Sequence, residues 1–282
     1  MRAFHAIAGL PRSGSTLLCN LLAQNPTFYA SSTSPLPTLI DQVSAFLSDS
    51  SEIRSDMHAN PAELHQRTKL VLRSIATSWY VGRGKDVCFD KSRAWVMHPE
   101  LFWTLFPASK MLIMVRDLKE VYASILKQHA KNPILRTIPG PSANRGAQVF
   151  SGGGLIGGPL VGIMDLQRRQ PPGALFVQYE ALVSEPARVM AAIYEALGEE
   201  PFEHDFDNVI STATDLDALY LNKFPHDGSG KVEPRGSSWP EWVGPAVAQE
   251  IEQAHANYYQ AFYPSDDENK VVSLEESLEV TG

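Results

Sequence analysis

The segment "AFHAIAGLPRSGSTLLCNLLAQ", Ala3 to Gln24, carries the topology of the protein in miniature. Ala3 to Leu10 is short, nearly all apolar and ends at Gly-Leu-Pro, the pattern of a buried strand. Ser15 to Gln24 puts Leu17, Leu18, Leu21 and Leu22 on one helical face. Between them, Gly9, Gly14 and Thr16 fit the phosphate-loop spacing G-x-x-x-x-G-K-[ST], except that Ser15 stands where the lysine belongs. A loop feeding a helix aims unsatisfied amides and the helix dipole at an oxyanion. Gly14 admits a ligand to the backbone. Ser13, Ser15 and Thr16 add hydroxyls, and Arg12 adds a fixed charge with a forked donor set. The stretch is built for an anion, with its charge moved earlier than in a nucleotide hydrolase.

Further along, short apolar runs alternate with helical patterns. "DVCFD" (Asp86 to Asp90), "KMLIMV" (Lys110 to Val115) and "ALFVQY" (Ala174 to Tyr179) are expected strands. "PAELHQRTKLVLRSIATSWY", "PELFWTLF", "LKEVYASILKQHA" and "PARVMAAIYEALG" are expected helices, the last stopped by Gly198. Alternation of this kind implies a doubly wound parallel α/β sheet flanked by helices. Ligands in such sheets lie beyond the carboxyl ends of the strands. That rule selects "PRSGST", "KSRAW", "RDLKE" and "EALVSEP". "SSTSPLP" (Ser31 to Pro37) is expected to be a polar loop, and the glycine-rich Gly140 to Gly162 a flexible connection or a lid. One domain is expected over residues 1–264, with an acidic, frayed tail over 265–282.

"MLIMVRDLKEVYASILK" holds the second informative spacing. Arg116 ends an apolar strand, where a charge is costly unless paired. Ser124 follows about two helical turns later on a similar face. Together they suit a second phosphate.

The two motifs in this order resemble the sulfotransferases that use 3′-phosphoadenosine 5′-phosphosulfate (PAPS), most closely the bacterial and phage-type members. In that family a P-[KR]-S-G-[ST]-[ST] loop cradles the 5′-phosphosulfate, which here is Pro11, Arg12, Ser13, Gly14, Ser15 and Thr16. An Arg and a Ser eight residues on bind the 3′-phosphate, here Arg116 and Ser124. "YEAL" resembles a Y-E-[DA]-L element, which places Tyr179 near the adenine. The resemblance runs in order from Phe4 to Gly198. It implies a P-loop-like fold and sulfuryl transfer from PAPS to a hydroxyl or amine of a small-molecule or peptide acceptor. It implies no metal, and no metal-ligand spacing occurs in the sequence. Arg12 and Lys91 would stabilise the leaving oxygen. A looser match is the late basic loop "HDGSGKVEPRGSSW", where Lys231 and Arg235 would close over the nucleotide.

One element of the family pattern is absent. Many members carry K-T-H, whose histidine is the general base, where this chain has Lys91-Ser92-Arg93. By chemistry alone Asp90, His226 and Asp41 are candidate bases, and Asp90 is taken with Arg12 and Lys91 as the expected catalytic set. Trp79, Trp95, Trp103 and Phe150 are either core or the wall of an apolar acceptor pocket. A P-loop kinase is the main alternative, but it would need the lysine that Ser15 replaces. A non-catalytic nucleotide-binding scaffold is the other, and the missing base favours it.

Bulk properties agree with a globular enzyme. The 282 residues are 44% apolar and 20% charged, enough chain for a substantial core. The net charge of −8 argues against a general nucleic-acid partner without forbidding a local basic pocket. Two separated cysteines suit a reducing compartment. No apolar run approaches the roughly 18 residues of a membrane span, and no signal-peptide pattern opens the chain. The expectation is a soluble, cytoplasmic protein that does not bind membranes.

Overall fold

The computed structural model of the protein describes residues 1–131, 142–212 and 229–264. Strand β1 (Ala3–Gly9) leads into helix α1 (Ser15–Leu22), then β2 (Phe28–Thr33), α2 (Leu36–Asp49), α3 (Ser51–Ala59) and α4 (Pro61–Trp79). Next come β3 (Val87–Lys91), a 3-10 turn (Arg93–Met97), α5 (Pro99–Leu105), β4 (Met111–Val115) and α6 (Leu118–Lys131). The chain continues through α7 (Ser142–Phe150), α8 (Gly157–Arg169), β5 (Ala174–Gln178), α9 (Tyr179–Ser184) and α10 (Pro186–Leu197). It closes with α11 (Trp239–Trp242), α12 (Pro245–Ala254) and α13 (Ala256–Phe262).

The five strands pair in the order β2-β3-β1-β4-β5, all parallel. Alternating side chains divide between two apolar layers. Phe4, Ala6 and Ala8 of β1, with Met111, Ile113 and Val115 of β4, face one core. Ile7 of β1, with Leu112 and Met114 of β4, faces the other with Leu18, Leu21 and Leu22 of α1. Apolar contact on both faces is why these strands read as continuous apolar runs. The connection after β1 leaves toward β2, and the one after β4 leaves toward β5. Their carboxyl ends therefore bound the switch-point crevice where such sheets take ligands. At Gly9, φ 131, an added Cβ would run into the backbone of Met114, so glycine lets β1 and β4 approach there.

Two sequence expectations are corrected. "SSTSPLP" is not all loop, since β2 runs through Thr33 and α2 begins at Leu36. This is an edge strand whose register shifts between Ala30 and Thr33, so the apolar alternation that marks a strand is missing. The glycine-rich stretch is largely helical where it is described, because α7 and α8 occupy most of it. A Cβ at Gly162 would meet the Val96 carbonyl, and one at Gly157 the backbone of Phe150 and Ser151. These glycines serve close packing. The expected tail at 265–282 lies outside the described residues.

Candidate active site

The loop from Leu10 to Gly14 wraps back on itself to reach α1. Arg12 takes a left-handed φ of 59 and Gly14 a φ of 89. A non-glycine residue in that region is costly and concentrates at functional sites. Ser13 is fully buried, and its hydroxyl donates to the Leu10 carbonyl at 2.7 Å, closing the turn. Its hydroxyl therefore braces the loop. Ser15 and buried Thr16 begin α1, and Pro11 is buried beneath the turn.

Strand order brings distant residues onto this loop. Arg116, just past β4, donates from Nη1 to the Arg12 carbonyl at 2.9 Å. Ser124 on α6 accepts from Arg12 Nε at 3.1 Å. The Arg116 guanidinium lies 4.2 Å from the centre of the Tyr179 ring, a cation–π contact. The same ring sits where a Cβ on Gly14 would go. Arg116 Nε is buried without a hydrogen-bond partner among the described residues. An unsatisfied buried guanidinium donor is costly, and it is the kind of group an anionic ligand satisfies.

These residues line an open cleft that encloses about 720 Å³ including its mouth. Its roof is the segment from Ser229 to Arg235, which contributes Lys231 and Arg235. Lys231 also pairs with exposed Asp207 at 3.1 Å. Among the described residues, Arg12, Arg116, Lys231 and Arg235 line the cleft against a single carboxylate, Glu233. The cleft is therefore strongly cationic in a protein of net charge −8. Beside the loop, Lys91 at the end of β3 is buried and donates from Nζ to Thr16 Oγ1 at 2.9 Å. A hydroxyl that accepts from an ammonium is itself a stronger donor.

The structure gives Asp90 a buried, hydrogen-bonded setting away from the cleft, unlike that expected of a base facing an acceptor. It is fully buried, and Tyr80 and Trp95 donate to its two oxygens. Burial pushes its carboxyl above the usual range, against hydrogen bonds from Tyr80, Ser34 and Trp95. It joins β3 to the surrounding helices and does not line the cleft. Asp41 on α2 is half exposed and lies 3.6 Å from His98 Nδ1, a pairing that sequence spacing gives no hint of. His226 lies outside the described residues, and Arg93 opens the 3-10 turn. The four aromatics do not form one pocket. Trp95 is wholly buried, Trp103 donates to the Ser109 carbonyl, Phe150 packs on Tyr122 and His255, and Trp79 is 46% exposed on α4. Among the described residues no group of three or more His, Cys, Asp or Glu is placed to hold a metal, and no helix is long and apolar enough to cross a membrane.

Sequence reasoning did not single out the residues behind the cleft. Tyr258 on α13 donates to the Arg116 carbonyl at 2.9 Å and accepts from its amide at 3.2 Å. Tyr263 donates to Glu180, which accepts from the Asp117 amide, and Tyr259 donates to Asp117. Burial pushes the hydroxyls of all three tyrosines well above their usual range, so they stay protonated donors. These contacts clamp the turn that carries Arg116.

A parallel α/β sheet with a phosphate-type loop and a cationic cleft at its switch point defines a protein that handles an anionic nucleotide-like ligand. The family model for the sulfotransferase family matches residues 6–204, and the chain belongs to that family. Its members are enzymes that move sulfuryl groups, and this chain is one of them. No curated protein matches it. Among solved structures it is similar to mouse sulfotransferase SULT7A1 complexed with PAP, at 11% identity and TM-score 0.54, covering 99% of this chain and 89% of that one. It is also similar to the sulfotransferase domain from the curacin biosynthetic pathway, at 16% identity and TM-score 0.53 over 91% and 98% of the two chains. A third is the sulfotransferase domain of the Synechococcus PCC 7002 olefin synthase, at 20% identity and TM-score 0.50 over 90% and 94%. These likenesses bear out the P-loop-like sulfotransferase fold expected from the sequence.

Proposed function

We propose that the sulfuryl donor is PAPS and that transfer goes in line to a hydroxyl or amine of a small-molecule or peptide acceptor, without a metal. The observation that carries this reading is the meeting of Arg12, Arg116, Ser124 and Tyr179 in one cleft, with Lys91 held at Thr16. Two anionic groups on one nucleotide need more than one cationic centre, and the loop and the β4 turn supply Arg12 and Arg116 in one cleft. The residues present fit the donor on two counts: the buried Arg116 Nε lacks a partner among the described residues, and Gly14 leaves room beside Tyr179. The PAP bound in a structurally similar mouse sulfotransferase is in keeping with this choice.

In this reading the amides of Ser13 to Thr16 and the hydroxyls of Ser15 and Thr16 hold the 5′-phosphate. Arg12 and Lys91 stabilise charge on the departing bridging oxygen. Arg116 and Ser124 hold the 3′-phosphate, Tyr179 borders the adenine end, and Lys231 and Arg235 close over the nucleotide. PAPS supplies the sulfuryl group, and the chain contributes position and preorganised positive donors, as in phosphoryl transfer. The acceptor's proton is left to a base not yet assigned. The catalytic unit spans residues 1–264, and the two buried free cysteines suit a cytoplasmic setting.

Calorimetry with adenosine 3′,5′-bisphosphate, against ATP with magnesium, tests the donor. Binding of the bisphosphate without magnesium is expected. Binding of Mg-ATP alone would reject the proposal in favour of a kinase. Radiolabelled transfer to an acceptor panel then tests turnover.

A further inference from the structure

The cleft's roof is tied down at two ends. At one end Val209 and Gly230 exchange amide-to-carbonyl hydrogen bonds at 3.0 and 2.8 Å, and the Val232 amide donates to the Phe206 carbonyl at 2.7 Å. At the other end Glu120 gathers the polar contacts, while Lys119 lies over the Trp239 ring. Glu120 Oε1 accepts from the Ser238 amide at 2.9 Å, the Trp239 amide at 3.2 Å and the Ser237 hydroxyl. Its Oε2 accepts from the Ser238 hydroxyl at 2.9 Å and lies 3.8 Å from Arg116 Nη2.

A carboxylate beside an anion site weakens that site unless it does something else for it. Glu120 is one helical turn after Arg116 and only 12% exposed at its side chain. Burial alone would raise its carboxyl, but hydrogen bonds from Ser237, Ser238 and Trp239 outweigh this and hold it below the ordinary range. It does not itself line the cleft. It faces Arg116 on one side and the start of α11 on the other. The donors it gathers all come from residues 237–239, beyond the matched family region at 6–204.

We infer that Glu120 is a positioning residue that joins the roof segment 229–239 to Arg116 and so sets recognition of the nucleotide's 3′-phosphate. This rests on the reading of Arg116 as the 3′-phosphate site. One carboxylate orients the Arg116 guanidinium and fixes where Lys231 and Arg235 hang over it. Loss of Glu120 removes a constraint from both together, leaving Arg116 to the Arg12 carbonyl and the Tyr179 ring, and the roof to its ties at Phe206 and Val209. The 5′ end is held by the loop at Ser13 to Thr16, which Glu120 does not touch and Arg116 reaches only at the Arg12 carbonyl.

The test is calorimetry on the full chain with adenosine 3′,5′-bisphosphate and adenosine 5′-monophosphate, which differ only in the 3′-phosphate. Wild type is expected to prefer the bisphosphate. Glu120→Ala is expected to lose at least about tenfold in affinity for the bisphosphate while the monophosphate changes by less than about twofold. The double variant Ser237→Ala/Ser238→Ala leaves Glu120 in place and removes two of its donors. It is expected to show the same selective loss, smaller in size, and it serves if Glu120→Ala does not fold. An equal loss for both nucleotides would show a merely structural role and overturn the inference, as would unchanged affinities. A wild type that does not distinguish the two nucleotides overturns the 3′-phosphate reading itself, before any variant is compared.

Discussion

Arg12 combines two roles that a pair of substitutions can separate. Its side chain donates to Ser124, and its backbone stands at φ 59 with its carbonyl accepting from Arg116. Arg12→Ala removes the guanidinium but keeps a Cβ in the left-handed region. Arg12→Gly removes the guanidinium and the steric conflict together. Losing the hydrogen bond to Ser124 costs each variant about 0.5–1.5 kcal/mol of stability. Glycine regains about 1–2 kcal/mol of left-handed strain. It gives back about 0.4–1 kcal/mol through the freer unfolded chain. The glycine variant should therefore be the more stable of the two by about 1 kcal/mol, a melting difference of about 2–4 °C. Turnover should fall alike in both, by about 2.7–4 kcal/mol of barrier, as when one preorganised donor is removed from a charge-stabilising site. Denaturant melts and sulfuryl-transfer rates on the same preparations check this. Near-wild-type turnover in either variant would refute the assignment of Arg12. An alanine variant as stable as the glycine variant would refute the strain argument.

Other outcomes follow from the same geometry. Gly14→Ala places a Cβ at φ 89 against the Tyr179 ring, which carries the Arg116 guanidinium. Stability should fall by about 1–2 kcal/mol from the backbone alone, and binding of adenosine 3′,5′-bisphosphate should weaken. Unchanged affinity by calorimetry would contradict the contact between loop and ring. His5 is 4% exposed, accepts the Lys110 amide at Nδ1, and is held by burial at a pKa of about 4, below its ordinary 6.5. A depressed histidine contributes stability above the unfolded pKa and loses it as pH falls toward the folded one. Wild type should therefore lose about 3 kcal/mol between pH 6.5 and 4 through this group. His5→Asn keeps an acceptor for the amide and should lose that much less over the same range. Parallel pH-stability curves for the two proteins would refute it.

Local spacing was enough for the first half of the site. Gly9 to Thr16 had to be a strand-to-helix loop for an anion, because amide direction, helix dipole and glycine freedom are all set within a few residues. The apolar runs of β1, β3, β4 and β5 were legible because both faces of a parallel sheet are buried. β2 was not, since an edge strand needs no such run. Asp90 illustrates the opposite limit: its carboxylate made it a candidate by chemistry alone, and only packing shows that Tyr80 and Trp95 bury it.

The sequence by itself determined an anion loop, a second arginine–serine pair and the parallel α/β class. It could not determine that these are one site. Arg12 and Ser124 are 112 positions apart, and they touch because β4 lies beside β1 in the sheet. Glu120 and its partners at 237–239 are as distant, and nothing in their spacing marks them. Periodicity records which face of an element is buried, but it holds no record of which element lies next to it. Strand order brought the separate motifs to one cleft, and side-chain packing turned Asp90 away from it.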